Sequence, residues 1–238
     1  MEWLSRTEML VGAEAIRRLQ KARVAVFGVG GVGGFTAEAL VRAGLGRIDL
    51  IDNDTVSLTN LNRQIIALHS TIGRDKVQVM AERLRDINPR VEVVCRNMFY
   101  LPENADEIDL AQYDYIVDAV DTVAAKLELI TRASALGKPI ISAMGAGNKL
   151  DPSKIVITDI YKTDTCPLAR VIRTQCKKRQ IRRLKVAYST EPALRPAACE
   201  EETGRRATPG SMSFVPSVMG LMIAGEVARE LMGLAGEV

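Results

Sequence analysis

Arg63 and Lys76 are the side chains in this sequence best placed to do chemistry, because both follow a glycine loop and an acid at the spacing of a nucleotide site. The loop is Val24-Ala-Val-Phe-Gly-Val-Gly-Gly-Val-Gly-Gly34, and the acid heads Asp52-Asn-Asp-Thr-Val-Ser-Leu-Thr-Asn-Leu-Asn-Arg63. Gly28, Gly30, Gly31 and Gly33 follow an apolar run that reads as a buried strand and precede a helical pattern at Ala37, Leu40 and Val41. Backbone N–H groups and a positive helix end then meet a phosphate. Asp52 closes a second strand, where an acid binds ribose hydroxyls. The glycine pattern by itself leaves NAD, FAD and ATP open. An arginine on an asparagine-rich turn directly after the acid is foreign to the dinucleotide fingerprint. With Lys76 it offers two cations to a triphosphate, where charge builds on the phosphoryl oxygens as the leaving group departs. Asp118 and Asp121, in Ile116-Val-Asp-Ala-Val-Asp-Thr122, fall at the C-terminal end of a predicted strand. Open α/β sheets bind ligands at that edge, and a carboxylate there holds magnesium against phosphates. Singly, each residue has an ordinary structural use: a surface ion pair for Arg63, a solvated first turn for Lys76, a helix cap for either aspartate. In this order behind a glycine loop, they point to nucleotide chemistry.

Alternating elements must position these groups. The pattern predicts strand 23–27, helix 31–43, strand 47–51, helix 75–88, strand 91–95, strand 113–118, helix 123–136 and strand 139–143. Helix 75–88 is the clearest, with Val77, Met80, Ala81, Leu84 and Ile87 on one face and Asn88-Pro89 ending it. Ser5-Arg-Thr-Glu8 has the form of a capping box, which predicts a leading helix over 8–20. The fold class is therefore α/β, a Rossmann-like, mostly parallel sheet with helices on both faces. Beyond Gly145, strands at 155–161 and 184–188 flank a basic helix that Pro167 starts, and these extend the sheet or form a small antiparallel flank. Residues 195–211 read as a mobile loop, and 216–231 as an apolar helix whose small residues (Ser217, Gly220, Ala224, Ala228) suit core or dimer packing.

Composition narrows the class. The 238 residues, 47% hydrophobic, bury a sizeable core, and no linker divides the elements before residue 195, so a single domain is expected. Its nucleotide-binding part spans about 20–145 and its substrate-binding part about 146–238. Four cysteines without a C-x-x-C pair fit a reduced, cytoplasmic setting better than a disulfide scaffold. The N-terminus lacks a charged leader with an apolar stretch, and the apolar run 214–224 is too short to span a bilayer, so no membrane association is expected. The net charge is only +3, but Arg170, Arg173, Lys177, Lys178, Arg179, Arg182, Arg183 and Lys185 form a run without one acid. The rest of the chain is net acidic, and such a local basic surface suits a polyanion. His69, the only histidine, reads as a packed or hydrogen-bonded residue.

The glycine loop with the Asp-x-Asp-x-Val-x-x-x-Asn-x-x-Arg-Gln stretch from Asp52 to Gln64 resembles the ubiquitin-activating-enzyme-like adenylating superfamily, which includes the ThiF and MoeB proteins. That resemblance runs from about Arg6 to Gly147. It implies ATP in the glycine loop, ribose on Asp52, phosphate contacts from Asn62-Arg63-Gln64 and Lys76, and Mg2+ on Asp121. Asp54, Thr59 and Asn60 join the nucleotide contacts, and Arg63, Lys76 and Asp121 carry the catalysis. The implied reaction is adenylation, in which a substrate carboxylate attacks the α-phosphate of ATP. Asp164-Thr-Cys-Pro-Leu-Ala-Arg170, Tyr188-Ser-Thr-Glu191 and Gly210-Ser-Met-Ser-Phe-Val-Pro-Ser217 further resemble the tRNA threonylcarbamoyladenosine dehydratases. This implies tRNA as the partner of the basic run, a homodimer, and a sulfur-transfer protein as a possible associate. In many relatives the partner subunit's N-terminal helix supplies an arginine to ATP. Alignment on Leu10-Val-Gly12 puts Met9 at that position, with Arg6 nearby. Cys95, Cys166, Cys176 and Cys199 are read as non-catalytic, since direct ring closure needs no thiol. The competing reading is an adenylyltransferase for the Gly-Gly tail of a ubiquitin-like sulfur carrier, whose members commonly carry two zinc-binding C-x-x-C pairs that this chain lacks. A nucleotide-sensing scaffold and an NAD dehydrogenase are further alternatives.

Overall fold

Val24 to Phe27 all sit at zero exposure, a run of four apolar residues in a strand covered on both faces. In the computed structural model, which describes residues 2–195 and 209–234, this strand is the centre of the molecule. The strands are β1 (Arg23–Phe27), β2 (Arg47–Ile51), β3 (Glu92–Arg96), β4 (Tyr115–Asp118), β5 (Ile140–Ala143), β6 (Ile155–Asp159) and β7 (Lys185–Ser189). The helices are α1 (Ser5–Lys21), α2 (Gly33–Ala43), α3 (Lys76–Ile87), α4 (Val123–Ala135), α5 (Pro167–Lys178) and α6 (Phe214–Met232). One seven-stranded sheet runs in the order β3-β2-β1-β4-β5-β7-β6. All neighbours are parallel except β6, which lies antiparallel against β7. The two distal strands thus extend the sheet and also make its antiparallel edge.

Alternation along β1 divides the core. Val24 and Val26 face a layer built from α1, α2, α3 and α6, whereas Ala25 and Phe27 face a layer containing α4. α5 packs beside α4 on that second face through Ala169, Ile172 and Cys176. The strand order reverses between β1 and β4, and at such a switch point the carboxyl ends of the strands leave a crevice for a ligand.

Two predicted features take a different form. The leading helix begins at Ser5 rather than residue 8, after a 3-10 turn at Glu2–Leu4, and no side chain caps it. The apolar anchor Leu4, 1% exposed beneath Gly44, fixes this end in place of a capping box. His69 is exposed in a 3-10 turn instead of packed. Cys199 and most of the loop predicted over 195–211 lie outside the described residues.

The β1–α2 turn is where close backbone approach is decisive. Gly28 has φ +89°, and a Cβ there would stand 2.6 Å from the Ala119 carbonyl oxygen. A Cβ on Gly33 would stand 1.8 Å from the Gly28 carbonyl oxygen, against backbone that cannot swing away. Gly33→Ala should therefore cost more than ~2 kcal/mol of stability. Gly73→Ala, at φ +85° with nothing within 4 Å, should lose only ~1 kcal/mol. Urea midpoints of the two variants check this, and equal losses would contradict it.

Candidate active site

Asp52, at the end of β2, organises the site. Its Oδ2 accepts the Val29 N–H at 2.6 Å and its Oδ1 accepts the Asp54 N–H at 2.8 Å. One carboxylate thereby joins the glycine loop to the turn that leads to Arg63. Gly28 N–H donates to the Ile51 carbonyl at 2.8 Å, so the β1 and β2 exits are held together twice. Gly30, Gly31 and Val32 donate to no backbone acceptor among the described residues, just ahead of the N-terminus of α2. Unpaired N–H groups at the positive end of a helix form a cradle for an anion.

The asparagine-rich turn closes over this cradle. The Arg63 carbonyl oxygen lies 3.4 Å from the position of a Cβ on Gly31, and Pro216 of α6 lies 3.2 Å from it. Arg63 Nη1 donates to the Thr59 carbonyl (2.8 Å) and to Asn62 Oδ1 (2.9 Å), which leaves Nε and Nη2 without a partner among the described residues. Thr59 thus orients Arg63 through its backbone, while the buried Asn60 accepts the Ser57 N–H and shapes the turn. Gln64 is 7% exposed beneath Gly30, and its Oε1 is buried without a hydrogen-bond partner. Such orphaned polar atoms are few in folded proteins, and an ordered water or a ligand completes their bonding.

Lys76 begins α3 with its ammonium almost fully buried, against the solvated lysine that a first helical turn suggests. Its Nζ donates to Asp54 Oδ2 at 2.7 Å and to no other described residue, so donors remain for a phosphate. Asp54 consequently serves as the holder of Lys76, with its own carboxylate more than half exposed.

The two aspartates after β4 separate cleanly. Asp118 is fully buried and bonded to Lys126 at 3.0 Å and Ser142 at 2.5 Å, which removes it from any metal role. Asp121 is exposed, and among the described residues its carboxylate accepts a hydrogen bond only from the Thr122 hydroxyl (3.3 Å). Among the described residues no three His, Cys, Asp or Glu groups could hold a metal ion. A single free carboxylate fits Mg2+, which takes one or two carboxylates and completes its shell with phosphates and water.

α6 enters the site, a placement its sequence did not announce. A Cβ on Gly220 would meet the Val32 carbonyl at 2.4 Å, and Thr36 Oγ1 donates to the Gly220 carbonyl at 3.0 Å. Gly220 therefore serves the packing of α6 on α2 within the chain. Asn62 Nδ2 donates to the Ser211 carbonyl at 3.1 Å and so ties the phosphate turn to the approach of α6.

The basic run divides. Arg170, Lys177, Lys178, Arg179, Arg182 and Arg183 are exposed. Arg179 Nη1 donates to Gln175 Oε1 on its own helix at 2.6 Å, and two further members are engaged by other elements, a use besides the tRNA contact expected of them. Arg173 Nη1 donates to the Thr163 carbonyl (2.5 Å) and hydroxyl (2.6 Å), and Lys185 Nζ pairs with Glu226 (2.6 Å) and Glu230 of α6. Lys185 opens β7 opposite Ile141, so 177–185 lie at the amino edge of the sheet, about a strand length (~16 Å along the strand axis) from the carboxyl edge that carries the glycine loop. Arg170, on the first turn of α5, lies toward the carboxyl edge, where Tyr188 Oη reaches Asp164 at 3.3 Å. A pocket of about 280 Å3 lined by Tyr115, Ser134, Lys138, Arg183 and Glu230 also opens at the amino edge and is separate from the nucleotide crevice.

Cys166 and Cys176 pack the inner face of α5, and burial pushes the Cys176 thiol up to about 11. The half-buried Cys95 thiol is also raised by burial and donates to the Val77 carbonyl at 3.4 Å. None of the three is a poised nucleophile.

Comparison with known proteins gives a consistent picture. The ThiF family model matches residues 4–238. A tRNA threonylcarbamoyladenosine dehydratase of Bacillus subtilis is 43% identical over 238 aligned positions, covering 96% of this chain and 94% of that protein. The enzyme of the same name from Escherichia coli is 42% identical over 171 residues, 72% of this chain and 64% of that protein. A crystal structure of the E. coli tRNA N6-threonylcarbamoyladenosine dehydratase in complex with ATP superposes with a TM-score of 0.88 at 34% identity, over 98% of this chain and 94% of that one.

Proposed function

This chain belongs to the ThiF family, and from that premise we propose that it is an ATP-dependent tRNA threonylcarbamoyladenosine dehydratase. The observation that carries the reading is the seating of the Arg63 turn against an open anion cradle, with Lys76 and Asp121 presented at the same crevice. The absence of C-x-x-C pairs anywhere in the sequence favours this over an adenylyltransferase for a sulfur carrier.

The reaction joins two steps. The threonyl carboxylate of the modified adenosine attacks the α-phosphorus of ATP, the bond to the β-phosphate breaks, and pyrophosphate leaves. The ureido group then attacks the activated carbonyl, a proton is lost, and AMP departs, so one water's atoms are removed at the expense of ATP. The unpaired N–H groups of Gly30, Gly31 and Val32 hold phosphate oxygens, and Asp52 has lone pairs left for ribose. Arg63 and Lys76 stabilise the charge that gathers on the phosphates as pyrophosphate leaves. Asp121 would hold Mg2+, which when bound neutralises the triphosphate.

Residues 20–145 form the nucleotide part of this proposal and 146–238 the tRNA part, with the six exposed cations of the basic run touching tRNA phosphates. A homodimer is supported by Met9 and Leu10 on α1, which are 85% and 87% exposed and would be covered by a second copy. A cytoplasmic setting agrees with three free thiols among the described residues, and no described helix is long and apolar enough to cross a membrane. A sulfur-transfer partner rests on the family resemblance alone.

Nucleoside mass spectrometry of tRNA from cells with and without the gene tests the function, with the cyclic, dehydrated adenosine expected to vanish in its absence. Unchanged levels would refute the reading. Arg63→Ala and Asp121→Ala should each lower tRNA-dependent pyrophosphate release by 100-fold or more, about 2.7 kcal/mol of transition-state stabilisation, at an unchanged melting temperature. For the basic surface, Arg182→Gln with Arg183→Gln should reduce the slope of log affinity against log salt by about 2, one per lost phosphate contact. A filter-binding series across salt concentrations measures it, and an unaltered slope would remove the amino-edge cations from the interface.

A further inference from the structure

The crevice holds a second charged pair that the adenylation chemistry leaves unused. Lys126, on the first turn of α4, is 1% exposed, and Asp118, at the end of β4, is fully buried. Lys126 Nζ donates to both Asp118 oxygens (3.0 and 3.1 Å), to the Ala143 carbonyl at the end of β5 (2.7 Å) and to Ser142 Oγ (3.4 Å). Asp118 further accepts the Ser142 hydroxyl at 2.5 Å and the Val120 N–H at 3.3 Å. Burying two charges is costly even when they are well paired, and apolar residues of similar volume often serve a fold as well. The position of this pair gives it a use that an apolar pair lacks.

Val120 is the residue before Asp121, so the Asp118 carboxylate grips the backbone from which Asp121 projects. Ala119 N–H donates to the Phe27 carbonyl at 2.8 Å, and the Ala119 carbonyl oxygen is the atom that excludes a Cβ from Gly28. The turn 118–121 therefore carries one site residue and braces the glycine loop. Lys126 fixes that turn and links it to the exit of β5.

We propose that Lys126, acting through Asp118, is a positioning residue for adenylation that aims the Asp121 carboxylate at the magnesium–triphosphate. The inference rests on the role given to Asp121 above. Lys126→Met alone strands the Asp118 charge in the interior and destabilises the fold for that reason, so the informative variant is Lys126→Met with Asp118→Leu, which removes both charges. Ser142→Ala, which trims one bond to Asp118 without stranding a charge, provides a milder second variant.

Calorimetric titration with ATP, with and without Mg2+, gives a readout that needs no tRNA. In the double variant, melting within a few degrees of the wild type, metal-free ATP affinity should stay within threefold while the strengthening by Mg2+ is lost. With modified tRNA, kcat for pyrophosphate release should fall at least tenfold with KM for ATP within threefold, and Ser142→Ala should fall between. A double variant with wild-type Mg2+ dependence and kcat would overturn the proposal. So would a wild-type ATP affinity indifferent to Mg2+. A wild type that binds Mg2+–ATP but releases no pyrophosphate on tRNA would instead sink the dehydratase reading and leave the titration to judge Lys126.

Discussion

The carboxylate of Asp52 is the joint on which the site depends. Its two oxygens hold the Val29 and Asp54 N–H groups, one from the loop after β1 and one from the turn after β2. Charge-assisted hydrogen bonds of this kind are among the stronger ones in proteins, and here they set the distance between the phosphate cradle and the segment carrying the two cations. Asp54 in turn holds Lys76, and the same segment ends in the Arg63 turn against Gly31. A residue read as a ribose ligand is therefore also the brace of the loop it serves.

Two lysine–aspartate pairs border the crevice, and burial gives them opposite characters. The Lys76–Asp54 pair has one face toward solvent, so its ammonium keeps donors for an incoming phosphate. The Lys126–Asp118 pair is closed on all sides, with every donor of the ammonium met by a carboxylate, a hydroxyl or a carbonyl. In a low-dielectric interior an incompletely paired charge is expensive, so the closed pair acts on its surroundings by holding them still. The open pair is the one that can interact with a ligand.

The cations proposed to meet tRNA are spread over a larger scale than the crevice proposed for the nucleotide. α5 runs from the carboxyl edge of the sheet, near Tyr188, to the amino edge, where Lys185 is paired with α6. A tRNA stem is broad enough to follow that helix while a single base enters the crevice, so separation by a strand length suits a polynucleotide better than a small anion. The pairing of Lys185 and Arg173 within the chain shows how a basic run supplies structure as well as surface.

Much of the fold was legible in residue order because apolar periodicity is a local property. The strands at 23–27 and 47–51, the helix closed by Asn88-Pro89 and the start of α5 at Pro167 all lie where spacing and backbone chemistry put them. The glycine loop and the Asp52-to-Arg63 stretch were readable for the same reason, since a phosphate cradle is built from contiguous backbone. Residue types and spacing alone left Asp118 and Asp121 equivalent, separated by two residues and alike in chemistry, and it was the family resemblance that named Asp121. The physical difference between them comes from Lys126 and Ser142, which reach Asp118 from α4 and β5 and leave Asp121 in solvent. Nor did it show that α6 would meet the glycine loop, or which basic residues would find acids. The sequence by itself determined the elements and the chemistry they carry. Only the tertiary structure decided which side chains are paired off and which stay free, because a charge is committed or available according to partners that arrive from distant parts of the chain.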